Sequence, residues 1–449
     1  MRGTIGGHSG ENLTPIDIVE FAAAFAHWIK KNGENPKVVI GRDGRISGPQ
    51  VSGIVVNTLQ MMGIDVVDLG LSTTPTVEIA VPLEKAGAGI IITASHNPKQ
   101  WNALKFLNSK GEFISANDGK EILNIIEEKS FSFSDVDQMG SYQKDDSYIS
   151  KHIQLILNHE LVNPKLVATR KFKVVVDCIN STGAISIPPL LDALGCEYTL
   201  INETVNGQFA HNPEPLPKHL TQISNEIKQS GADLGIVIDP DVDRLAFICE
   251  DGEMFGEEYT LVAIADYILS KKVGNTVSNL SSTRALRDVT EKHGGTYLAT
   301  AVGEVNVVNG MKSSNAVIGG EGNGGIIVPD LHYGRDALIG IALFLSHLAE
   351  KDMKMTALKA SYPQYVITKN KIQLTPELDV DLILNQLKDK YKNENINTVD
   401  GLKIDFEHGW VHLRKSNTEP IIRIYAESDS QEAADKLAEM IQNDVMAIC

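Results

Sequence analysis

At 449 residues the chain is too long for one ordinary core, and its length suggests two to four domains. Its net charge of −17 argues against nonspecific binding to nucleic acid or to an anionic membrane, which takes clustered Lys and Arg. Cys178, Cys196, Cys249 and Cys449 make no close pair that reads as a metal or redox motif, and no apolar run reaches the roughly 18 residues needed to cross a bilayer; a reduced, cytoplasmic setting is the expectation.

In chain order, Thr14, Pro15 and Asp17 form a capping start for an apolar helix through Ile29. A pattern of strand, loop, helix, glycine and strand then recurs three times. Val38-Val39-Ile40 leads through Gly41-Arg42-Asp43-Gly44-Arg45 to a helix ending near Met62, then Gly63 and a strand to Leu69. Val174 to Asp177 leads to a helix around Pro188 to Leu194, then Gly195 and a strand at Tyr198 to Ile201. Val277 to Leu280 leads to Ser281-Ser282-Thr283, a helix to Lys292, two glycines and a strand from Thr296. Such alternation implies three related α/β units with mixed, largely parallel sheets covered by helices.

The tail differs. An alternating strand from Lys369, a helix after Thr375-Pro376, strands at Leu402 to Phe406, Trp410 to Arg414 and Ile421 to Ala426, and a helix from Ser430 make an α+β domain with an antiparallel sheet. The expected domains are 1–146, 147–250, 251–366 and 367–449.

Four loops carry chemistry. Gly89-Ile90-Ile91-Ile92 is a buried-strand signal that delivers Thr93-Ala94-Ser95-His96-Asn97-Pro98 to the loop after it, where parallel sheets bind ligands. Ser95 and Asn97 capping a turn is one reading, and a Ser-His acyl-transfer pair is a weaker one. Gly235 to Ile238 ends in Asp239-Pro240-Asp241-Val242-Asp243-Arg244, whose alternate aspartates in a tight loop suit a hard divalent cation such as Mg²⁺. An EF-hand needs a later glycine and glutamate and flanking helices, whereas strands flank this loop; a solvated acidic turn is the other alternative. In Gly319-Gly320-Glu321-Gly322-Asn323-Gly324-Gly325 the only side chains are a carboxylate and an amide, suited to sugar hydroxyls, or the segment is a flexible hairpin turn. Arg414-Lys415-Ser416-Asn417-Thr418-Glu419-Pro420 with Arg423 offers cations and hydroxyls for a phosphate, or is a solvated turn with a basic flank.

Together the four loops resemble, in order and spacing, those of the α-D-phosphohexomutases, the family of phosphoglucomutases, phosphomannomutases and phosphoglucosamine mutases, and the likeness spans essentially the whole chain. The resemblance implies four domains around a central cleft, each lending one loop. It implies that Ser95 carries a phosphoryl group, with Mg²⁺ held by Asp239, Asp241, Asp243 and a phosphoserine oxygen, and Arg244 beside them. It further implies that the substrate phosphate sits on Arg414, Ser416, Asn417, Thr418 and Arg423, that Glu321 and Asn323 hold sugar hydroxyls with help from Thr300 to Glu304, and that a hexose 1,6-bisphosphate is the intermediate and activator. Lys105 matches a family lysine of the Asn-Gly-x-Lys element, with Ala103 where glycine is usual; Arg2 matches the arginine of an N-terminal Gly-x-Arg-Gly element; His96 and Lys99 would orient the transferred group.

Two departures stand out. Arg2 directly follows Met1, without the residues that usually precede it in a first strand, so weak anchoring is expected. Asn323-Gly324-Gly325 replaces the Ser-Gly-His of many bacterial members and is similar to the archaeal-type phosphoglucosamine mutases. The expected activity is interconversion of hexosamine or hexose 6-phosphate and 1-phosphate, with glucosamine phosphate preferred and phosphomannomutase or phosphoglucomutase activity next. A catalytically weak sugar-phosphate binding protein and a metal-dependent phosphatase are the alternatives outside that class. A phosphosugar is thus the expected partner, with neither nucleic acid nor membrane.

Overall fold

The computed structural model describes residues 1–373, 380–415 and 421–448. The chain forms two compact units, one of Met1–Thr260 with Asn323–Lys359 and one of Leu261–Gly322 with Ala360–Cys449.

The first unit holds two sheets. In the larger, Lys37–Arg42 lies between Asp65–Leu71 and Ala88–Ile92, parallel to both, as the strand and helix alternation predicts. Successive residues of these strands enter separate cores: Val38, Ile40, Ile90 and Ile92 pack with Phe25 and Ile29, while Val39, Val67 and Ile91 pack with Val77 and Val81. Both faces are therefore covered, which is why the strands read as continuous apolar runs. The helix Pro15–Lys31 has the capping box expected of Thr14 and Asp17, and its Phe25 stacks on Phe106.

The strand Trp101–Leu107 runs antiparallel to Ala88–Ile92, and beyond it Arg2–Thr4 is antiparallel again, with Arg2 opposite Ala103 and Thr4 opposite Trp101. The N-terminal ammonium also donates to Leu104 O (3.1 Å). The expectation that Arg2 is weakly anchored is thus corrected: its backbone is tied into the sheet edge.

The second sheet has the order Leu245–Cys249, Leu234–Ile238, Lys173–Asp177, Glu197–Ile201, parallel except for the first, which reverses on Leu234–Ile238. The helix Ala337–Lys351 belongs to this unit and is buried from Ala337 through Ala349. Its Phe344 stacks on Phe247, and the Asp336 carboxylate caps it by accepting from Leu338 N (2.8 Å) and Ile339 N (3.3 Å).

In the second unit Asn275–Asn279 lies between the parallel strands Tyr297–Thr300 and Ala316–Glu321. A five-stranded antiparallel sheet has the order Val366–Gln373, Ile421–Ser428, Gly409–Lys415, Leu402–Phe406, Asn395–Asn397. Its inward residues Leu402, Ile404, Leu413 and Ile424 pack against Ile383, Ile441 and Val445 of two amphipathic helices, Val380–Lys390 and Gln431–Ile448. The short strand Asn395–Asn397 has a polar sequence that conceals its pairing. Among the described residues no helix is long and apolar enough to cross a membrane.

Candidate active site

The buried strand Ala88–Ile92 ends in Thr93 to Pro98, and Ser95, 2% exposed, has a left-handed backbone with φ +50°. Such a conformation is unfavourable for a residue with a Cβ and persists only where its surroundings fix it. Here Thr93 Oγ1 accepts from Ser95 N (2.9 Å) and donates to Asp43 Oδ2 (2.6 Å). The fully buried Arg45 pairs with Asp43 through Nε (3.0 Å) and donates to the carbonyls of Ser95, Asn97 (2.8 Å), Pro98 (2.9 Å) and Trp101 (3.0 Å). One guanidinium thus ties down four carbonyls of the serine loop and its exit.

Asp239, Asp241 and Asp243 are fully buried, and each offers a carboxylate oxygen within 4.8 Å of the others. Ser95 Oγ donates to Asp239 Oδ2 (2.6 Å). Asp241 Oδ2 accepts from Thr74 Oγ1 (2.6 Å) and from Lys105 Nζ (2.8 Å), and Asp243 Oδ2 accepts from Arg335 Nη2 (2.7 Å). Among the described residues Asp241 Oδ1 and Asp243 Oδ1 are buried without a hydrogen-bond partner, and between the aspartates the β-branched Val242 has φ +61°. Orphaned carboxylate oxygens at one point in a strained loop are what a hard divalent cation would satisfy, so the donor set fits such an ion.

The electrostatics agree. Burial, then the charges of Asp243 and Asp241, push the Asp239 carboxyl well above the ordinary carboxylate range. Burial acts the same way on Asp241, but Lys105 and Thr74 reverse it and hold that group below the range. Burial alone would lower the Lys105 ammonium, but Asp241 and Asp243 raise it above its usual value.

Arg244 Nε lies 4.0 Å from Asp239 Oδ2 and 3.9 Å from Asp243 Oδ1. Arg2 Nη1 donates to Asn97 Oδ1 (3.1 Å), and His96 Nδ1 is 3.4 Å from Ser95 Oγ. Burial, followed by the positive fields of Arg244, Arg2 and Arg335, keeps the His96 imidazole neutral far below its normal titration range. Cations that repel a proton at His96 attract a phosphoryl dianion. Lys99 donates to Gln208 Oε1 (2.7 Å) at the surface. The structure therefore gathers Ser95, His96, Lys105, Arg2, Arg244 and the three aspartates, and adds Thr74, Arg45 and Arg335, which sequence reasoning missed.

The second unit presents a different set. Glu321, at the end of Ala316–Glu321, accepts through Oε1 from Asn279 Nδ2 (3.0 Å) and from Gly303 N (3.2 Å), which joins it to the Thr300 to Glu304 segment. Arg414 and Arg423 stand directly opposite each other on paired antiparallel strands, an arrangement of like charges that is unfavourable without an anion. Arg414 Nε has Asp400 Oδ2 at 3.9 Å. Ser416, Asn417 and Thr418 lie outside the described residues. Asn323 belongs to the first unit, where its Oδ1 accepts from Gly325 N (3.2 Å); a Cβ on Gly324 would sit 2.1 Å from Leu245 O, so this turn requires glycine.

Comparison with known proteins extends these observations to the whole chain. Family models of phosphoglucomutase/phosphomannomutase match as alpha/beta/alpha domain I at residues 1–133, domain II at 146–252, domain III at 256–365 and the C-terminal domain at 371–443. A phosphoglucomutase/phosphomannomutase of Thermococcus kodakarensis is 35% identical over 98% of this chain and 97% of its own. A phosphoglucosamine/phosphogalactosamine mutase of Sulfurisphaera tokodaii is 31% identical over 98% and 97%. The crystal structure of a phosphoglucomutase/phosphomannomutase family protein from Burkholderia thailandensis superimposes with a TM-score of 0.87 at 27% identity, covering 100% of this chain and 96% of that one. Because all four domains are matched in order and full-length relatives exceed 30% identity, the chain belongs to the phosphoglucomutase/phosphomannomutase family of α-D-phosphohexomutases, isomerases that move a phosphoryl group within a phosphorylated sugar.

Proposed function

We propose that the protein interconverts the 6-phosphate and 1-phosphate of a hexosamine, glucosamine phosphate before other sugars, in the cytoplasm and through a phosphorylated Ser95. The observation that carries this reading is the Ser95 hydroxyl, held 2.6 Å from Asp239 inside a buried carboxylate cluster. In transfer, an oxygen of the sugar bonds to the phosphorus, the bond to Ser95 Oγ breaks, and the proton lost by the sugar hydroxyl is matched by one returned to Ser95. Lys105 is the group beside the aspartates that exchanges those protons, while His96, Arg2 and Arg244 orient the transferring phosphoryl group. Asp239, Asp241 and Asp243, with a phosphoserine oxygen, would hold a Mg²⁺, which would supply charge neutralisation to the transferring group. Arg414 and Arg423, with Ser416, Asn417 and Thr418, take the phosphate that stays on the sugar, and Glu321 and Asn323 take its hydroxyls. The sugar 1,6-bisphosphate formed midway turns round and returns its other phosphate to Ser95.

The glucosamine preference is supported by the name of the Sulfurisphaera tokodaii relative, and phosphomannomutase or phosphoglucomutase activity, after the Thermococcus kodakarensis relative, stands second. A coupled assay with glucosamine 6-phosphate, a trace of the 1,6-bisphosphate and Mg²⁺ tests the reading against glucose and mannose phosphates. Ser95→Ala is expected to lower turnover by at least about 10³-fold. Full mutase activity in that variant, or release of free phosphate in place of isomerisation, would overturn the proposal.

A further inference from the structure

A cleft of about 940 Å³ opens in the first unit, away from the aspartates. Its walls are the ends of the strands Lys37–Arg42 and Asp65–Leu71, the edge strand Tyr142–Lys144, and the helices Gly48–Met61 and Gly183–Ala193. The volume is that of a small-molecule site. Arg42, half-buried on the wall, has no carboxylate within ion-pair distance among the described residues, Asp43 and Asp68 acting on it only from further off, and there it donates one hydrogen bond, from Nη1 to Asp43 O (3.2 Å). A guanidinium has five donors in a fixed fork, so most of its capacity is unused in a partly dry place where it is costly to leave unused. Lys144, also on the wall, has no ion pair among the described residues. Of the acids there, Asp68 is already engaged by Gly70 N (2.8 Å) and Tyr142 Oη (3.0 Å), and Asp146 is exposed. With two cations against two carboxylates, this wall is close to neutral in a chain of net charge −17, which favours an anion here over most of the surface. Ser52, Asn57, Gln60 and Ser150 add hydroxyls and amides for a ligand's own hydroxyl groups.

Three walls of the cleft continue directly into the catalytic loops. Arg42 precedes Asp43, whose carboxylate holds Arg45 and Thr93 and through them the serine loop. Leu71 precedes Ser72, whose N–H donates to Arg42 O (2.8 Å), and two residues later Thr74 holds Asp241. Ile185 and Pro189 line the cleft from a helix whose preceding residue, Thr182, donates to Pro240 O (2.9 Å) between the first two aspartates. We propose that the cleft is a second ligand site, which takes a small hydroxylated organic phosphate on Arg42 and Lys144 and alters phosphoryl transfer at Ser95 through these three connections. Its occupant need not be a substrate of the mutase.

Glycerol 3-phosphate serves as the probe, with hydrogen–deuterium exchange of the full chain read in wild type, Arg42→Gln and Lys144→Gln. Segments 49–60 and 142–150 are expected to gain protection in wild type, with half-saturation displaced about tenfold or more in Arg42→Gln, since a charge-assisted contact is lost. Lys144→Gln, an exposed position that leaves the fold intact, is expected to displace it in the same direction by a smaller factor. Protection of the strand at 409–415 reports binding at the substrate-phosphate site and is expected to be equal in all three proteins. If 49–60 and 142–150 gain no protection at saturating probe, or gain it identically in wild type and both variants, the second site does not exist.

Discussion

Arg335 decides where Asp243 points. Its guanidinium and the carboxylate are both buried and 2.7 Å apart, and without it the cations left beside Asp243 among the described residues are Lys105 at 3.5 Å and Arg244 at 3.9 Å. Groups that orient metal-binding carboxylates typically matter 10- to 100-fold, so Arg335→Met is expected to lower kcat by about that factor with little change in KM for the phosphosugar. Steady-state kinetics at graded Mg²⁺ check this; a KM effect alone would reassign Arg335 to the substrate. The three aspartates were legible because alternate acids in a tight loop need no distant partner. Arg335 was not, since 92 residues separate it from Asp243 and nothing local marks it. The left-handed backbone at Ser95 was equally hidden, because it is imposed by Thr93 two residues before it and by Arg45 from another strand end.

At the scale of elements, the first helix rests on one carboxylate. Burial pushes Asp17 upward, but hydrogen bonds from Thr14, Ser9 and Gly10 outweigh it and pull the group down to about 2. A depressed carboxylate contributes stability that is present above the unfolded value near 3.8 and is lost as pH falls toward 2. Asp17→Ala is expected to cost about 1 kcal/mol at neutral pH in urea unfolding, with the deficit shrinking in acid. His412 acts in the same sense, in a higher pH window. Burial, only partly opposed by the Asp400 carbonyl, lowers it to about 4, and it bridges Ser281 Oγ (2.9 Å) and Asp400 O (2.6 Å) as a neutral ring. The unfolded chain binds the proton first, so this contribution is full above about 6.5 and is lost as pH falls from there toward 4. His412→Gln is expected to flatten the loss of unfolding free energy across that window; an unchanged slope would show that other groups carry it.

For the molecule as a whole, alternation of strand and helix sufficed to foresee the parallel sheets, and period-two patterning the antiparallel tail. The strand Trp101–Leu107 and the reversed direction of Leu245–Cys249, itself foreseen as a strand, escaped notice, although the signal was present: the connections from Ile92 and Ile238 are too short for the dozen or more residues a parallel crossover requires. Those short reversals are also what place Lys105 and Arg244 beside the aspartates. Three buried carboxylates in one place weaken the fold until a cation binds, so chelator-treated protein is expected to gain thermal stability with added Mg²⁺. The gain is about 2.7 kcal/mol at a hundredfold excess over Kd, and Asp241→Asn should abolish most of it. Calorimetry showing the same shift in wild type and variant would place the ion elsewhere.

The chain leaves the first unit after Thr260 and returns to it at Asn323. As a ribosome delivers the protein, the serine loop and the aspartates therefore emerge long before Arg335 and the buried helix Ala337–Lys351 that complete their surroundings. Nascent chains halted short of residue 359 should hold Ser95 in an unfinished pocket, open to protease, and acquire resistance only when that late segment docks.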